Sequence, residues 1–280
     1  MGTFTHQMPR DLAARYGHEA VAIGDRGGYT TPSERQVDIK AAVEKAVRGT
    51  VSYPPDHAFE LSAPGPHATR IEVVNETTLS GARRQIDLGF RSVALNFASA
   101  TSPGGGFLTG ARAQEEYLAR SSCLYECIRD NPMYGFHRSN YDPIYTDYAI
   151  YSPDVPVIRN DDSTLLETPY PVSILTCAAP NANKVPLARQ DAILPAMWTR
   201  ILKVLAIGLQ HGHDAIVLGA WGCGAFGNDS GEVAELFHRA LTENFRGAYR
   251  HVVFSIVDWS TEKRYIGPFQ KAFRGDAAAG

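Results

Sequence analysis

Val93-Ala94-Leu95-Asn96-Phe97, then Pro103-Gly104-Gly105-Gly106, then Ala113-Gln114-Glu115-Glu116 read as an apolar strand, a flexible loop and the first turn of a helix. The order matters more than any one piece. Three successive glycines carry no Cβ, so they tolerate φ > 0 and close approach, and their N–H groups can converge on phosphate oxygens. Two carboxylates at the start of the following helix lie within reach of the same ligand. Glycines alone are a weak signal; glycines followed by Gln-Glu-Glu are a strong one.

Working outward, strand-like and helical stretches alternate. Arg70–Val74 reads as a strand, Leu79–Leu88 as a helix stopped by Gly89, and Ser92–Phe97 as a strand. One helix is expected from about Gly110 to Asp130, with Leu118, Ser121, Leu124, Tyr125 and Ile128 on one face. Tyr148–Tyr151 and Pro171–Cys177 suit further strands, and Gln190–Gln210 suits a long helix. Ala215–Gly219 and Val252–Val257 read as buried strands, with Gly231–Phe245 and Thr261–Phe273 as helices. Alternation of this kind predicts an α/β architecture with helices on both faces of the sheet. Upstream, Thr31-Pro32-Ser33 is expected to open a helix running to Thr50, followed by a connector carrying Pro54, Pro55, Pro64 and Pro66. The expected organisation is an N-terminal extension over 1–66 and a main domain over 67–275, with a frayed tail from Gly275 to Gly280.

A chain of 280 residues, 44% hydrophobic and 20% charged, is long enough to bury a full core. Its net charge of −3 offers no general attraction to nucleic acid or acidic membranes, so a polyanionic substrate has to be held by local groups. No run of 18 apolar residues occurs, and Met1–Arg10 lacks the apolar core of a signal peptide, which predicts a cytoplasmic protein. Cys123, Cys127, Cys177 and Cys223 form no metal pattern and are too few for a disulfide scaffold.

A second glycine loop follows the apolar strand at Ala215–Leu218: Gly219-Ala220-Trp221-Gly222-Cys223-Gly224-Ala225-Phe226-Gly227-Asn228. Gly222, Gly224 and Gly227 match a dinucleotide fingerprint, but that fingerprint opens its domain and needs several more strand–helix units downstream. Too little chain follows Gly227, which removes the nicotinamide-dependent oxidoreductase reading. The local physics survives: glycine amides ahead of a helix N-terminus favour an anion. Phe226, between Ala225 and Gly227, can lie over the face of a ribose or base, or serve as an ordinary anchor. Among other candidates, His211-Gly212-His213-Asp214 suits a helix stop better than a metal site. Ser121, Ser122 and Ser230 lack the context of a serine hydrolase, and no P-loop motif is present.

Gly104-Gly105-Gly106 with Gln114-Glu115-Glu116 resembles the signature of the poly(ADP-ribose) glycohydrolases. Asn96-Phe97-Ala98-Ser99 and Ala113-Gln114-Glu115-Glu116 are similar to its shorter, microbial branch, over about Glu34 to Ala272. The resemblance implies a macrodomain-like three-layer α/β/α fold with a mixed, mostly parallel sheet and an N-terminal helical extension. It implies hydrolysis of the ribose–ribose bonds of poly(ADP-ribose) on modified proteins, releasing ADP-ribose, in the setting of the DNA damage response. Glu116 would then be the catalytic residue and Glu115 a partner of a ribose hydroxyl. Gln114 would stand in the same site with Gly104, Gly105 and Gly106, and Asn96 would hold the distal ribose. Glu76 takes the place where macrodomains more often carry Asp against the adenine amino group. Gly222, Cys223, Gly224, Ala225 and Gly227 would grip the diphosphate, with Phe226 on the terminal ribose. Neighbouring helix residues project about 100° apart, so Glu115 and Glu116 do not supply the usual pair of opposed glycosidase carboxylates. A single-carboxylate mechanism is expected, without cofactor or metal, in a monomer that binds neither nucleic acid nor membrane directly. The 60-odd residues before Ala68 would close one end of the pocket and make the enzyme exo-acting. The alternative is a macrodomain that binds ADP-ribose without cutting it; Glu116 weighs against it.

Overall fold

The computed structural model describes residues 8–59 and 65–274; the expected frayed tail and part of the Pro-rich connector, Pro64 included, lie outside them. In chain order the elements are α1 (Arg10–Arg26), β1 (Gly28–Thr30), β2 (Gln36–Asp38), α2 (Lys40–Gly49), β3 (Val51–Tyr53), β4 (Arg70–Val74) and α3 (Thr78–Asp87). Next come β5 (Ser92–Phe97), α4 (Gln114–Ser121), α5 (Leu124–Ile128), α6 (Pro132–Ser139), β6 (Ala149–Arg159) and β7 (Leu165–Cys177). The chain continues with α7 (Ile193–Gln210), β8 (Ala215–Leu218), α8 (Ser230–Arg239), β9 (His251–Ser255) and α9 (Ile266–Ala272). Among the described residues the main sheet has seven strands in the order β3-β6-β7-β5-β8-β9-β4. It is mixed and mostly parallel, the expected three-layer α/β class. Its β5–β8, β8–β9 and β9–β4 ladders are parallel, with Val93 opposite Ile216, Ile216 opposite Val252 and Val252 opposite Ile71. A separate antiparallel hairpin pairs β1 with β2.

The chain forms two compact units, each assembled from separate stretches. The first holds the described residues up to Tyr53, Asn96–Asn140 and Ile150–Thr176. Its α1 was not expected. The residues α1 buries are Ala13, Gly17, Ala20, Ile23 and Gly24, a stripe with one large apolar side chain among alanines and glycines and so with little hydrophobic signal. Gly17 is required there: a Cβ would come to 2.7 Å from the Phe107 carbonyl oxygen. The helix expected over Thr31–Thr50 is confined to α2. Pro32, equally suited to a helix start or the second position of a turn, lies in the β1–β2 turn. There Thr31 N–H donates to Arg35 O at 2.9 Å, Glu34 sits at φ 63°, and Ser33 donates its N–H and hydroxyl to the Glu167 carboxylate at 3.1 and 2.7 Å.

The single helix expected from Gly110 to Asp130 is broken into α4 and α5. Ser122 bridges to Val157, and Cys123 N–H donates to Pro156 O at 2.9 Å, so a strand captures backbone groups the helix would have used. β6 and β7 run 11 and 13 residues, well past their expected limits. Pro153, Pro156, Pro169 and Pro171 interrupt their pattern in sequence but not their extended course.

In the second unit, Ile71, Val93, Leu95, Ile216, Val252 and Phe254 are buried on the strands. Phe254 packs against Phe237, Phe269 and Phe273, with ring centroids 5.4, 5.2 and 4.8 Å apart. The segment Leu187–Gln210 is long and apolar enough to cross a membrane by composition, yet half of its apolar window is buried in the structure. Its buried charges are partnered: Lys203 Nζ donates to Pro54 O at 2.8 Å, and Arg200 Nε to Thr146 O at 3.0 Å. Gly212 ends α7 at φ 73°, with His213 Nδ1 3.0 Å from Arg91 O, the expected helix stop.

Candidate active site

In the first unit the glycine loop and the start of α4 form one hydrogen-bonded body. Gln114 Oε1 accepts the Phe97 N–H at 2.8 Å, tying the helix start to the end of β5. The Ser99 hydroxyl accepts the amides of Thr101 and Ser102 at 3.3 and 3.1 Å, and Gly105 N–H donates to Ser102 O at 2.9 Å. Glu115 and Glu116 are only 3% and 8% exposed, so they are not the solvated carboxylates usual in a first turn.

The two glutamates are held differently. Glu115 Oε2 accepts the Ser99 N–H at 2.6 Å, and the Gly104 amide also donates to this carboxyl. Asn96 Nδ2 reaches Glu115 Oε1 at 3.5 Å and Thr176 Oγ1 at 3.2 Å, while Asn96 Oδ1 is buried without a partner among the described residues. Burial raises the Glu115 carboxyl well above the usual range; the Ser99 amide opposes this and the Glu116 charge adds to it. Glu116 Oε1 accepts the Gly106 N–H at 2.9 Å, and Glu116 Oε2 is buried with no partner among the described residues. One oxygen is fixed and the other left unsatisfied. Such an atom costs about 1–3 kcal/mol of desolvation, which marks it for work on a ligand.

These contacts change the job of the first loop. The amides of Gly104, Gly105 and Gly106, read from sequence as a phosphate cradle, are taken by Glu115, Ser102 O and Glu116. Gly105 is nevertheless indispensable. It sits at φ 60°, and a Cβ there would overlap Glu116 Oε1 and come to 3.0 Å from Glu115 Oε2.

Arg120, absent from the sequence reading, stands one turn behind Glu116 and is 2% exposed. Its Nη1 donates to Ala111 O at 2.6 Å, Ala111 N–H donates to Gly106 O at 3.0 Å, and Gly106 N–H holds Glu116. Burial lowers the guanidinium to about 10, with the Glu116 charge acting the other way. The i, i+4 spacing from Glu116 was the signal that could have found it.

The second unit contains the other loop. Gly222 and Gly227 take φ 76° and 72°. Asn228 Nδ2 donates to Gly222 O and Pro180 O at 3.0 and 2.8 Å, and Asn183 Nδ2 donates to Ala225 O at 3.1 Å. Between these clamps the amides of Gly224, Ala225 and Phe226 meet no acceptor among the described residues, which leaves them open to an anion ahead of α8. Asp229 caps that helix, accepting from Gly231 and Glu232 at 2.8 and 2.9 Å. Cys223 is buried, which pushes its thiol up to about 12, so it is an inert lining atom rather than a nucleophile. Phe226 is half-buried, with its ring centroid 6.2 Å from that of Tyr145. Glu76 accepts from Arg84 Nη2 at 2.8 Å and from the Ser255 hydroxyl at 3.2 Å, both on Oε1. Among the described residues no three His, Cys, Asp or Glu side chains gather as a metal site.

The model of the microbial-type PARG catalytic domain matches residues 17–160. Comparison with curated proteins finds no match. Among solved structures, poly(ADP-ribose) glycohydrolase from Thermomonospora curvata is 45% identical, with TM-score 0.89, covering 94% of this chain and 100% of its own. The same enzyme bound to the inhibitor ADP-HPD is 44% identical with TM-score 0.87 and the same coverage. Poly(ADP-ribose) glycohydrolase from Deinococcus radiodurans in complex with ADP-ribose is 37% identical with TM-score 0.80, covering 85% of this chain and 98% of its own. With the glycine loop, the Gln-Glu-Glu turn and these matches in agreement, the chain belongs to the microbial-type poly(ADP-ribose) glycohydrolase family and is a glycohydrolase of poly(ADP-ribose).

Proposed function

We propose that Glu116 is the sole acid–base residue of this hydrolysis. The observation that carries the reading is its divided carboxyl group: Oε1 bound by the Gly106 amide, Oε2 buried and unpartnered. In the protonated state Glu116 passes its proton to the 2′-oxygen of the departing adenosine as the bond from that oxygen to the ribose C1 breaks. The positive charge forms on the remaining ribose as an oxocarbenium, stabilised by the ligand's own diphosphate. Water adds at C1 and gives its proton to the Glu116 carboxylate, which restores the acid. The products are ADP-ribose and a polymer shortened by that unit, ending in a free 2′-hydroxyl. No second carboxylate is needed.

Glu115, whose oxygens take the Ser99 and Gly104 amides and the Asn96 side chain, serves to hold a ribose hydroxyl together with Asn96. The diphosphate is assigned to the open amides of Gly224, Ala225 and Phe226, the terminal ribose to the Phe226 ring and the adenine amino group to Glu76. Exo-cleavage is part of the proposal. It is supported by α1, which packs Gly17 against the Phe107 carbonyl in the turn directly after the glycines; products containing long internal fragments would contradict it. A cytoplasmic, monomeric protein acting on polymer made after DNA damage rests on the sequence alone.

The test is Glu116→Gln. It keeps the shape and an acceptor for the Gly106 amide but removes the transferable proton. General acid–base loss predicts a kcat lower by about 10²–10⁴, with ADP-ribose binding retained in calorimetry. Equal loss of turnover and binding would refute the assignment.

A further inference from the structure

Phe226 is the inner member of a row of three aromatic rings. Tyr145 lies 6.2 Å from it, and Tyr141 lies a further 6.3 Å from Tyr145, edge-on at 80°. Tyr141 is 57% exposed, so it adds little to the core. Tyr145 is held at φ 57°, a left-handed conformation that bulky side chains rarely adopt. Its hydroxyl is hydrogen-bonded to the side chains of Asn181 and Tyr141. Asn181 is 6% exposed, and its Oδ1 has no partner among the described residues. Strain and an unsatisfied buried amide oxygen at one place are what ligand-holding segments carry. A glycine at 145 would relieve the first.

We propose that Tyr141 and Tyr145 form a stacking subsite for the adenine of the leaving adenosine, the polymer unit whose 2′-oxygen departs. This rests on the reading that Phe226 faces the terminal ribose. The bond being cut joins that ribose directly to the next adenosine, so a purine hangs one sugar away from the Phe226 ring. Tyrosine rings stack on any base, and with only two χ angles they lose little entropy on ordering. Asp142, beside Tyr141 in sequence, holds the Arg189 guanidinium at 2.7 Å. The contact offered is to the face of a base, and it accounts for the exposure of the ring at 141.

The experiment compares Tyr141→Ala and Tyr145→Gly, the latter removing a ring while suiting the positive φ. Two quantities are read: kcat/KM on poly(ADP-ribose), and the Kd of ADP-ribose, which has no leaving adenosine. Loss of one base stack predicts a fall of about tenfold in polymer kcat/KM, exceeding any change in the ADP-ribose Kd. Equal changes in both, or no change on polymer, would overturn the subsite. Phe226→Ala separates the two levels of the argument. If it leaves ADP-ribose affinity untouched, the underlying reading of Phe226 fails; if it weakens ADP-ribose while the tyrosine variants behave as the parent protein, only the subsite fails.

Discussion

Gly105→Ala puts the coupling between the glycine loop and the catalytic carboxyl to its sharpest test. Two costs act on different observables. The first is conformational: an L-residue at φ 60° costs about 1–2 kcal/mol. At roughly 2–4 °C per kcal/mol for a chain of this size, the melting temperature falls by about 2–8 °C. The second is local. The new Cβ overlaps Glu116 Oε1, which must retreat by roughly an ångström to reach ordinary contact. The Gly106 amide loses its acceptor, and the unpartnered Oε2 moves with the rest of the group. Misplacement on that scale costs about 10²-fold in rate, or about 2.7 kcal/mol of barrier. Gly89→Ala is the control, because Gly89 takes φ 82° with nothing within 4 Å of the added Cβ. It carries the first cost without the second. Single-turnover release of ADP-ribose and thermal melts on both variants complete the assay. The expected pattern is a similar melting loss in both and a kcat loss confined to Gly105→Ala. A Gly105→Ala enzyme with parental kcat, or a Gly89→Ala enzyme equally slowed, would refute the claim that this glycine exists to admit the carboxylate.

Arg120→Met breaks the relay through Ala111 and Gly106 that braces Glu116; kcat should fall about tenfold or more while ADP-ribose affinity holds, as losing a charged buried hydrogen bond of about 1.5–3 kcal/mol implies. A parallel fall in affinity, seen by calorimetry, would mean that Arg120 merely supports the fold. Glu126 makes a pH prediction. Burial raises its carboxyl from 4.5 to about 7 against the pull of Arg129, so the folded state holds its proton more tightly than the unfolded chain. Its contribution to stability is therefore full below about 4.5 and is lost as pH rises towards 7, by up to about 1.4 kcal/mol per pH unit. Glu126→Gln should flatten that slope in denaturant titrations; an unchanged slope would exclude Glu126 as its source.

The legible parts of this protein are those whose signal is contiguous. Val93–Phe97, Ala215–Leu218 and the residues around Val252 read as strands because strands buried on both faces must be apolar along their whole length. The Gly104–Gly106 and Gln114–Glu116 pairing reads as a site because both halves lie within one strand–loop–helix unit. What escaped depends on partners distant in sequence. α1 is invisible because its buried stripe holds a single large apolar side chain, Ile23, among alanines and glycines, and its fit is defined by the Phe107 turn it covers. Pro32 turns a hairpin instead of starting a helix because Glu167, far along the chain, accepts from Ser33. The break between α4 and α5 is made by β6 taking the Cys123 amide. The sequence by itself therefore determined the α/β class, the family and the identity of the two glutamates. Only tertiary structure decided which carboxyl oxygen is left unsatisfied, and which amides serve the protein rather than face open space. Hydrogen-bond satisfaction and desolvation belong to a surrounding that no local pattern of residues contains.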